Sequence, residues 1–246
     1  MGIKNRTPIF IIGFPRSGST LLERVLDSHP LIVGTGEDSV FNGMLEQIRN
    51  AIVDVSLTGS SQVLQDVVRE QANNVLITIR ERWEEIDRNT AKEDDALYPQ
   101  CDEYNDKQEC EIAVPKRFTD KMLHNYMNVG FIHLLFPNAL ILHTSRNPMD
   151  TLFSAFKYDF PPGSLDYTSD FKSLNQMYRG YRDIIDHWDR VLPGRVTHVR
   201  YEDMVNDMPG IAKAVISATR LRWNPDILNF HKKKHAVNTY STTQVC

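Results

Sequence analysis

The sequence predicts an α/β protein with a mainly parallel central sheet flanked by helices. Short apolar runs rich in β-branched residues alternate with segments in which apolar residues recur at helical spacing. A glycine-rich turn joins the first of these runs to the first helical segment. No internal repeat, linker or shift in composition divides the chain, so residues 1–246 are expected to form a single domain.

Composition and charge exclude several classes of protein. The chain has 28 Lys+Arg and 32 Asp+Glu, which gives a formal net charge of −4. With 41% hydrophobic residues it can bury a core, and it lacks the basic surplus usual in dedicated nucleic-acid binders. No apolar run approaches the roughly 20 residues that span a bilayer, and residues 1–7 leave no room for a signal peptide. We therefore expect a cytoplasmic protein without nucleic-acid or membrane partners.

Five short segments predict the strands of the sheet. They are residues 8–12, 31–33, 117–119, 139–143 and 196–199. The first reads Pro-Ile-Phe-Ile-Ile and is ended by Gly13, and the fourth reads Ala-Leu-Ile-Leu-His. Runs of this kind, bounded by turn signals, are typical of parallel strands that are buried on both faces.

The remaining periodic segments predict helices. The first predicted helix begins at Ser19, and a long helical region covers residues 41–88 with a break at 57–61. Further helices are predicted at 126–135, from 148 onward, and at 171–192, 211–219 and 226–234. In the first helix, Leu21, Leu22, Val25 and Leu26 recur at helical spacing, with Glu23, Arg24 and Asp27 between them. Pro148 stands in the first turn of its helix, where proline is well tolerated.

A polar, acidic stretch at residues 89–111 predicts an exposed loop. It contains Cys101 and Cys110, and Cys246 is the last residue of the chain. Three cysteines make neither a disulfide framework nor a metal quartet. We expect reduced thiols, although an oxidising compartment would allow Cys101 and Cys110 to pair.

A phosphate-binding motif lies between the first strand and the first helix. Residues 13–20 read Gly-Phe-Pro-Arg-Ser-Gly-Ser-Thr, the Gly-x-x-x-x-Gly frame of a P-loop with Ser19 in place of lysine. Backbone N–H groups at such a turn bind anions, and Arg16 adds a planar cation. Without the lysine, the loop suits a 5′-phosphate that acts as a leaving group rather than a γ-phosphate that is cleaved. A plain Gly-Ser turn is the structural alternative.

A second motif follows the fourth strand. Arg146 stands at the predicted strand end, and Ser154 lies eight residues later, about two turns into the following helix. Both side chains can therefore face one point above the sheet, where they suit a second phosphate. Taken alone, an arginine at a sheet edge is the simpler interpretation.

Together the two motifs resemble those of the sulfotransferases that use 3′-phosphoadenosine 5′-phosphosulfate (PAPS). Residues 15–20 resemble the family's 5′-phosphosulfate loop, and Arg146 with Ser154 resembles its 3′-phosphate site. The similarity is greatest to the branch of tyrosylprotein sulfotransferases and of bacterial sulfotransferases often fused to tetratricopeptide repeats. Further segments follow that branch in order, namely 21–30, 36–37, 120–122, 130–137, 191–194 and 200–203. The resemblance implies a P-loop-type fold.

The resemblance implies catalytic roles for three residues. Arg16 would bind the 5′-phosphate and neutralise charge at the transferring sulfuryl group, and Lys121 matches a lysine near the bridging oxygen. Glu37, which lies 21 residues after Arg16, matches the glutamate proposed as general base in tyrosylprotein sulfotransferases. His124 is the rival base, because cytosolic small-molecule sulfotransferases use a histidine. From spacing alone, Glu37 is more simply a surface carboxylate or a helix N-cap.

The resemblance also implies the residues that bind the cofactor. They are Arg16, Ser17, Gly18, Ser19, Thr20, Arg146, Ser154 and Tyr201. The first five would hold the 5′-phosphate, the next two the 3′-phosphate, and the tyrosine matches one in the family's cofactor pocket. We expect PAPS as donor, 3′-phosphoadenosine 5′-phosphate (PAP) as product, and no metal in the reaction.

The acceptor and two alternative functions stay open at this point. A hydroxyl of a small molecule, a sugar or a peptide tyrosine is each a possible acceptor. The chain ends Gln244-Val-Cys246, whereas relatives usually continue after Gln-Val-Arg into a segment that closes over the nucleotide. This departure is compatible with a truncated C-terminus and with an inactive nucleotide-binding module of the same fold. A P-loop kinase-like enzyme is the second alternative, opposed by Ser19 in place of the lysine.

Overall fold

The computed structural model describes residues 2–37, 40–58, 60–90 and 117–232. The strands are β1 (Pro8–Gly13), β2 (Ile32–Gly34), β3 (Arg117–Asp120), β4 (Leu140–Ser145) and β5 (Thr197–Arg200). The α-helices are α1 (Ser19–Asp27), α2 (Val40–Thr58), α3 (Ser61–Thr90), α4 (Val129–Leu135), α5 (Pro148–Phe156), α6 (Phe171–Val191), α7 (Tyr201–Asn206) and α8 (Met208–Thr219). Short 3₁₀ helices cover Leu123–Asn128, Asp166–Ser169 and Pro225–Lys232.

The described strands form one parallel sheet in the order β2-β3-β1-β4-β5. β1 stands at its centre, and Phe10 is in register with Asp120 of β3 and with Ile141 of β4. β2 and β3 lie on one side of β1 within the sheet, and β4 and β5, which come later in the chain, lie on the other side of β1. In open parallel sheets, ligands bind outside the carboxyl ends of the strands where connections diverge in this way. The predicted α/β class is confirmed, and the glycine-rich turn lies at the edge where a ligand is expected.

Alternate residues of β1 pack into two apolar clusters, one on each face of the sheet. Phe10 and Ile12 join the cluster that includes residues of α2, α3, α4 and α6. Ile9 and Ile11 join the cluster that includes residues of α1 and α8. All four side chains are fully buried, and each contributes about 1.5–3 kcal/mol by leaving water. Because both faces are covered, β1 is a rigid support for the turn that follows it.

Several helix boundaries differ from those predicted, and two of the differences have a local cause. The chain from 123 to 135 is a 3₁₀ helix followed by α4, because Asp120 Oδ1 accepts hydrogen bonds from Met122 N and Asn125 Nδ2, both at 3.1 Å. These contacts draw the chain into tight turns directly after β3. α8 begins at Met208, ahead of the predicted start at 211, because the Asp207 side chain accepts from Gly210 N at 3.0 Å. In both places an aspartate sets the local geometry.

Some of the predictions fall on residues that the structure does not describe. Cys101, Cys110 and Cys246 lie outside the described ranges, as does nearly all of the acidic stretch at 89–111. The exposed loop and its reduced thiols therefore stay predictions. Among the described helices, none combines the length and the apolar composition that are needed to cross a membrane.

A hydrogen-bonded chain runs from the core toward the surface through His143 of β4. The side chain is fully buried, Nε2 pairs with the Tyr181 hydroxyl, and Nδ1 lies 2.7 Å from Nδ1 of His198. His198 Nε2 lies 3.0 Å from Asp189 Oδ1. Each donor is used once if the Tyr181 O–H donates to Nε2 of His143, the Nδ1–H of His143 donates to Nδ1 of His198, and the Nε2–H of His198 donates to Asp189. The hydrogen-bonded network is thus complete with His143 neutral. Burial, followed by the electrostatic effect of protonating the pair that it forms with His198, lowers the pKa of His143 to about 3.

Acidification is expected to destabilise the protein through His143. Its pKa is about 3 in the folded state and about 6.5 in an unfolded chain, so the unfolded state takes up the proton first as the pH falls. The share of the free energy of unfolding that depends on neutral His143 is fully present above about pH 6.5. It falls by on the order of 1 kcal/mol per pH unit as the pH is lowered to about 3. Urea denaturation between about pH 5 and 8 measures how steeply the free energy of unfolding changes with pH. His143→Gln should make this pH dependence weaker. An unchanged slope in that variant would contradict the assignment.

Candidate active site

The turn between β1 and α1 holds an uncommon backbone conformation. Arg16 and Gly18 both have positive φ, 70° and 96°. Gly18 stands at the N-cap of α1 and has no side chain of its own to compete for the N–H groups of the first helical turn. A Cβ placed on Gly18 would lie 2.5 Å from Cδ2 of Tyr201, so the tyrosine ring packs directly on the turn. The backbone donors of this helix N-terminus are thus arranged as in phosphate-binding loops.

The loop hydroxyls have two different environments. Ser17 is 1% exposed, and its Oγ lies 2.7 Å from Oγ1 of Thr144 on β4. Since Thr144 Oγ1 donates to Ile12 O, the Ser17 hydroxyl donates to Thr144. Ser19 and Thr20, in contrast, line a cavity at the start of α1. Ser17 therefore attaches the loop to β4, whereas the other two hydroxyls lie where a ligand can reach them.

Arg16 connects the phosphate loop to the second sequence motif. Its Nε donates to Ser154 Oγ at 3.2 Å, across 138 residues of sequence. Its guanidinium carbon lies 4.9 Å from the centre of the Tyr158 ring. Burial lowers the pKa of Arg16 below its ordinary value, and arginine stays protonated at neutral pH in proteins. A cation is therefore fixed between two motifs that are distant in the chain.

The predicted 3′-phosphate residues line a cavity of about 280 Å³. Its lining residues are Arg146, Asp150, Phe153, Ser154, Lys157 and Tyr158. The guanidinium carbon of Arg146 lies 4.7 Å from the centre of the Tyr201 ring, and its Nη2 lies 4.0 Å from Asp150 Oδ2. Tyr201 thus contacts both Gly18 and Arg146. The cavity has two cations, Arg146 and Lys157, beside the Ser154 hydroxyl, an arrangement that suits a phosphate group.

A second cavity, of about 270 Å³, joins the phosphate loop to the two candidate bases. Its polar lining residues are Arg16, Ser19, Thr20, Glu37, His124 and Ser164. Its apolar lining residues are Pro15, Met122, Leu123, Phe160 and Leu165. Burial lowers the pKa of His124, and the nearby Glu37 carboxylate opposes that shift, so the imidazole is neutral at physiological pH. Either side chain can take a proton from a group held in this cavity.

Lys121 lies between two carboxylates immediately after β3. Its side chain is 0% exposed, with Nζ 3.0 Å from Glu37 Oε1 and 3.5 Å from Glu23 Oε2. Of the two carboxylates, Glu37 retains 26% of its side-chain exposure and lines the cavity, whereas Glu23 is completely buried. The structure thus brings together Lys121 and Glu37, which are 84 residues apart in sequence.

Glu23 is a residue of this site that the sequence analysis did not identify. Its position between the apolar residues of α1 is typical of a solvated helix face, yet its exposure is 0%. Burial raises the pKa of its carboxyl, while Lys121 and hydrogen bonds from Thr119 and Gly36 oppose that shift. No spacing rule connects Glu23 with residues on β3 and the turn after β2, so only the tertiary structure reveals its contacts.

Comparison with known proteins identifies the family. The model of the sulfotransferase family matches residues 8–225, which include both phosphate motifs as well as Glu37, Lys121 and Tyr201. The chain belongs to the sulfotransferase family. The resemblance noted from the sequence is therefore confirmed at the level of the family, and the kinase-like alternative loses its support.

Individual relatives of this sulfotransferase-family chain are distant. An uncharacterized protein of Aquifex aeolicus is 27% identical over 247 residues, which cover 99% of this chain and 29% of that protein. The chain thus spans less than a third of the length of that relative. The sulfotransferase domain from the curacin biosynthetic pathway matches with a TM-score of 0.54 at 17% identity, covering 94% of this chain and 80% of that domain. The sulfotransferase domain of the Synechococcus PCC 7002 olefin synthase gives 0.54 at 18% identity, with the same coverage.

Proposed function

We propose that this protein transfers a sulfuryl group from PAPS to a hydroxyl group of an acceptor. The observation that carries the proposal is the hydrogen bond between Arg16 and Ser154, which links the phosphate loop to the cavity beside Arg146. Two linked anion sites next to a cavity lined by Glu37 suit a nucleotide with a 3′-phosphate and a reactive 5′ end. Membership of the sulfotransferase family supports the same reaction.

The residues present fit PAPS in charge and in shape. Arg16 and the backbone N–H groups after Gly18 would hold the 5′-phosphate, and Arg146 with Ser154 would hold the 3′-phosphate. Tyr201, which contacts both Gly18 and Arg146, would form a wall of the nucleotide site. When it is bound, PAPS supplies the sulfuryl group that is transferred.

The chain supplies charge stabilisation and a base. The transfer would break the bond between sulfur and the 5′-phosphate oxygen and form a bond from sulfur to the acceptor oxygen. Arg16 and Lys121 would neutralise the negative charge that grows on the departing phosphate. Glu37 accepts the proton of the acceptor hydroxyl. Because Glu37 lines the cavity and lies 3.0 Å from Lys121, the base and one cation are neighbours in the folded chain.

The acceptor occupies the 270 Å³ cavity in this proposal. Glu37 and Arg16 would face its hydroxyl, whereas Met122, Leu123 and Phe160 offer apolar contacts to the carbon atoms beside it. Small molecules, sugars and peptide tyrosines all carry such a hydroxyl. Screening representatives of each class with labelled PAPS identifies which one is used.

Binding of PAP tests the nucleotide site directly. PAP is expected to raise the unfolding temperature equally with and without a chelator, because arginine side chains and backbone N–H groups would hold its phosphates. ATP with Mg²⁺ is the comparison ligand. Stabilisation by ATP–Mg²⁺ but not by PAP would contradict the proposal. Binding of PAP without turnover of PAPS across the acceptor classes would instead indicate an inactive nucleotide-binding module.

Arg146→Ala should weaken PAP binding about 10- to 100-fold, since a charge-assisted hydrogen bond contributes about 1.5–3 kcal/mol. Arg179→Ala is a matched control, because Arg179 is exposed on α6. Calorimetric titration of both variants with PAP measures the difference. Equal affinities would remove Arg146 from the 3′-phosphate site.

A further inference from the structure

Glu23 is a completely buried carboxylate to which the proposed reaction assigns no role. Its Oε1 accepts hydrogen bonds from Thr119 Oγ1 at 2.6 Å and from Gly36 N at 3.0 Å. Its Oε2 lies 3.5 Å from Lys121 Nζ. A carboxylate is costly to bury, and removing one partner of a buried ion pair is more costly still. Glu23 is therefore held in one position by two hydrogen bonds to Oε1 and by the ion pair between Oε2 and Lys121.

The contacts of Glu23 lead to both Lys121 and Glu37. Gly36, whose N–H it accepts, directly precedes Glu37, and Gly36 O in turn accepts from Lys121 N at 3.2 Å. Thr119 ties the same turn to β3, because its Oγ1 also accepts from Thr35 N at 3.3 Å. One carboxylate on α1 thus fixes the main chain that carries Glu37 and the ammonium group beside it.

We propose that Glu23 is a positioning residue that acts through Lys121. Its carboxylate holds the Lys121 ammonium in place independently of Glu37, so that Glu37 can release the lysine and accept the proton of the acceptor. A flexible lysine side chain with a single partner would follow that partner, whereas a second, buried carboxylate keeps it in the site. The inference rests on the roles proposed above for Lys121 and Glu37.

Asp27 provides a matched control on the same helix. It lies one turn after Glu23, and its Oδ1 accepts from Gly34 N at 2.7 Å. Asp27 thus supports the same turn as Glu23. A comparison of Glu23→Gln with Asp27→Asn therefore separates general support of the turn from positioning of Lys121.

The test is a double-mutant cycle between Glu23→Gln and Lys121→Met. The readout is the rate of PAP release from PAPS, with water as acceptor if no faster acceptor is known, together with PAP affinity and thermal unfolding of each variant. Glu23→Gln should lower kcat about 10- to 100-fold with little change in the KM for PAPS, because small displacements of reacting groups have effects of that size. Asp27→Asn should lower kcat less than about 3-fold. In the Lys121→Met background, Glu23→Gln should cause no further loss.

Each result decides between distinct conclusions. The inference would be overturned if Glu23→Gln lowered kcat by the same factor with Lys121 present and in the Lys121→Met background. It would also be overturned if Asp27→Asn lowered kcat as much as Glu23→Gln does. If Glu23→Gln alone does not fold, the double variant is compared with Lys121→Met, and a slower double variant overturns the inference in the same way. Full activity of both Lys121→Met and Glu37→Gln would instead refute the catalytic roles on which it rests.

Discussion

Glu37→Gln is expected to lower turnover by about 10²–10⁴-fold while PAP binding and folding are retained. The amide keeps the shape and the hydrogen-bonding reach of the carboxylate but takes up no proton at neutral pH. The side chain is 26% exposed and lines the cavity, so the substitution disturbs little core packing. Turnover of PAPS with the best acceptor, together with calorimetric PAP affinity, measures the effect.

His124→Ala is the control for this result, because His124 lines the same cavity. If the histidine is the base, His124→Ala abolishes activity and Glu37→Gln does not. The nature of the acceptor gives a second check. With an acidic phenol, already largely ionised at the assay pH, the defect of Glu37→Gln should shrink, since no proton has to be removed. A defect of full size with such a phenol would assign Glu37 to orienting the acceptor.

Arg16→Ala is expected to lower kcat by about 10²–10³-fold, with a smaller loss of PAP affinity. Charge on the 5′-phosphate side grows as the sulfuryl group departs, so a cation at this position interacts more strongly with the transition state than with the bound substrate. In the folded chain Arg16 is fixed from two sides, by Ser154 at 3.2 Å and by the Tyr158 ring at 4.9 Å. Steady-state kinetics with PAPS separates the two effects.

Arg16→Lys distinguishes charge from geometry at this position. Lysine keeps the positive charge but lacks the planar fork that reaches Ser154 and the phosphate together. An intermediate kcat is therefore expected for this variant. A raised KM at unchanged kcat in Arg16→Ala would show that Arg16 contributes to ground-state binding only, and its catalytic role would have to be withdrawn.

Much of the fold could be predicted from the sequence because its signals are local. β1 and β4 are short apolar runs, and burial on both faces of a parallel sheet favours such runs. The glycine-rich turn could be identified because its Gly-x-x-x-x-Gly frame is a local pattern. In the structure, Gly18 adopts a positive φ, which glycine tolerates better than other residues. Arg146 directly follows β4 and Ser154 lies in α5, and the short connection between these two elements leaves both residues beside one cavity.

What the sequence by itself determined is the sheet, its phosphate loop and the candidate cations and bases along its edge. Only the tertiary structure decided which of these residues meet: Arg16 with Ser154, Lys121 with Glu37, and Glu23 with both Lys121 and Gly36. Glu23 looks solvated in a helical pattern, because periodicity reports the faces of one helix and not what covers them. Its burial depends on the turn after β2 and the end of β3, which fold over α1. The partners of Glu23 there, Gly36 and Thr119, lie 13 and 96 residues away in the chain, beyond the reach of a helical periodicity.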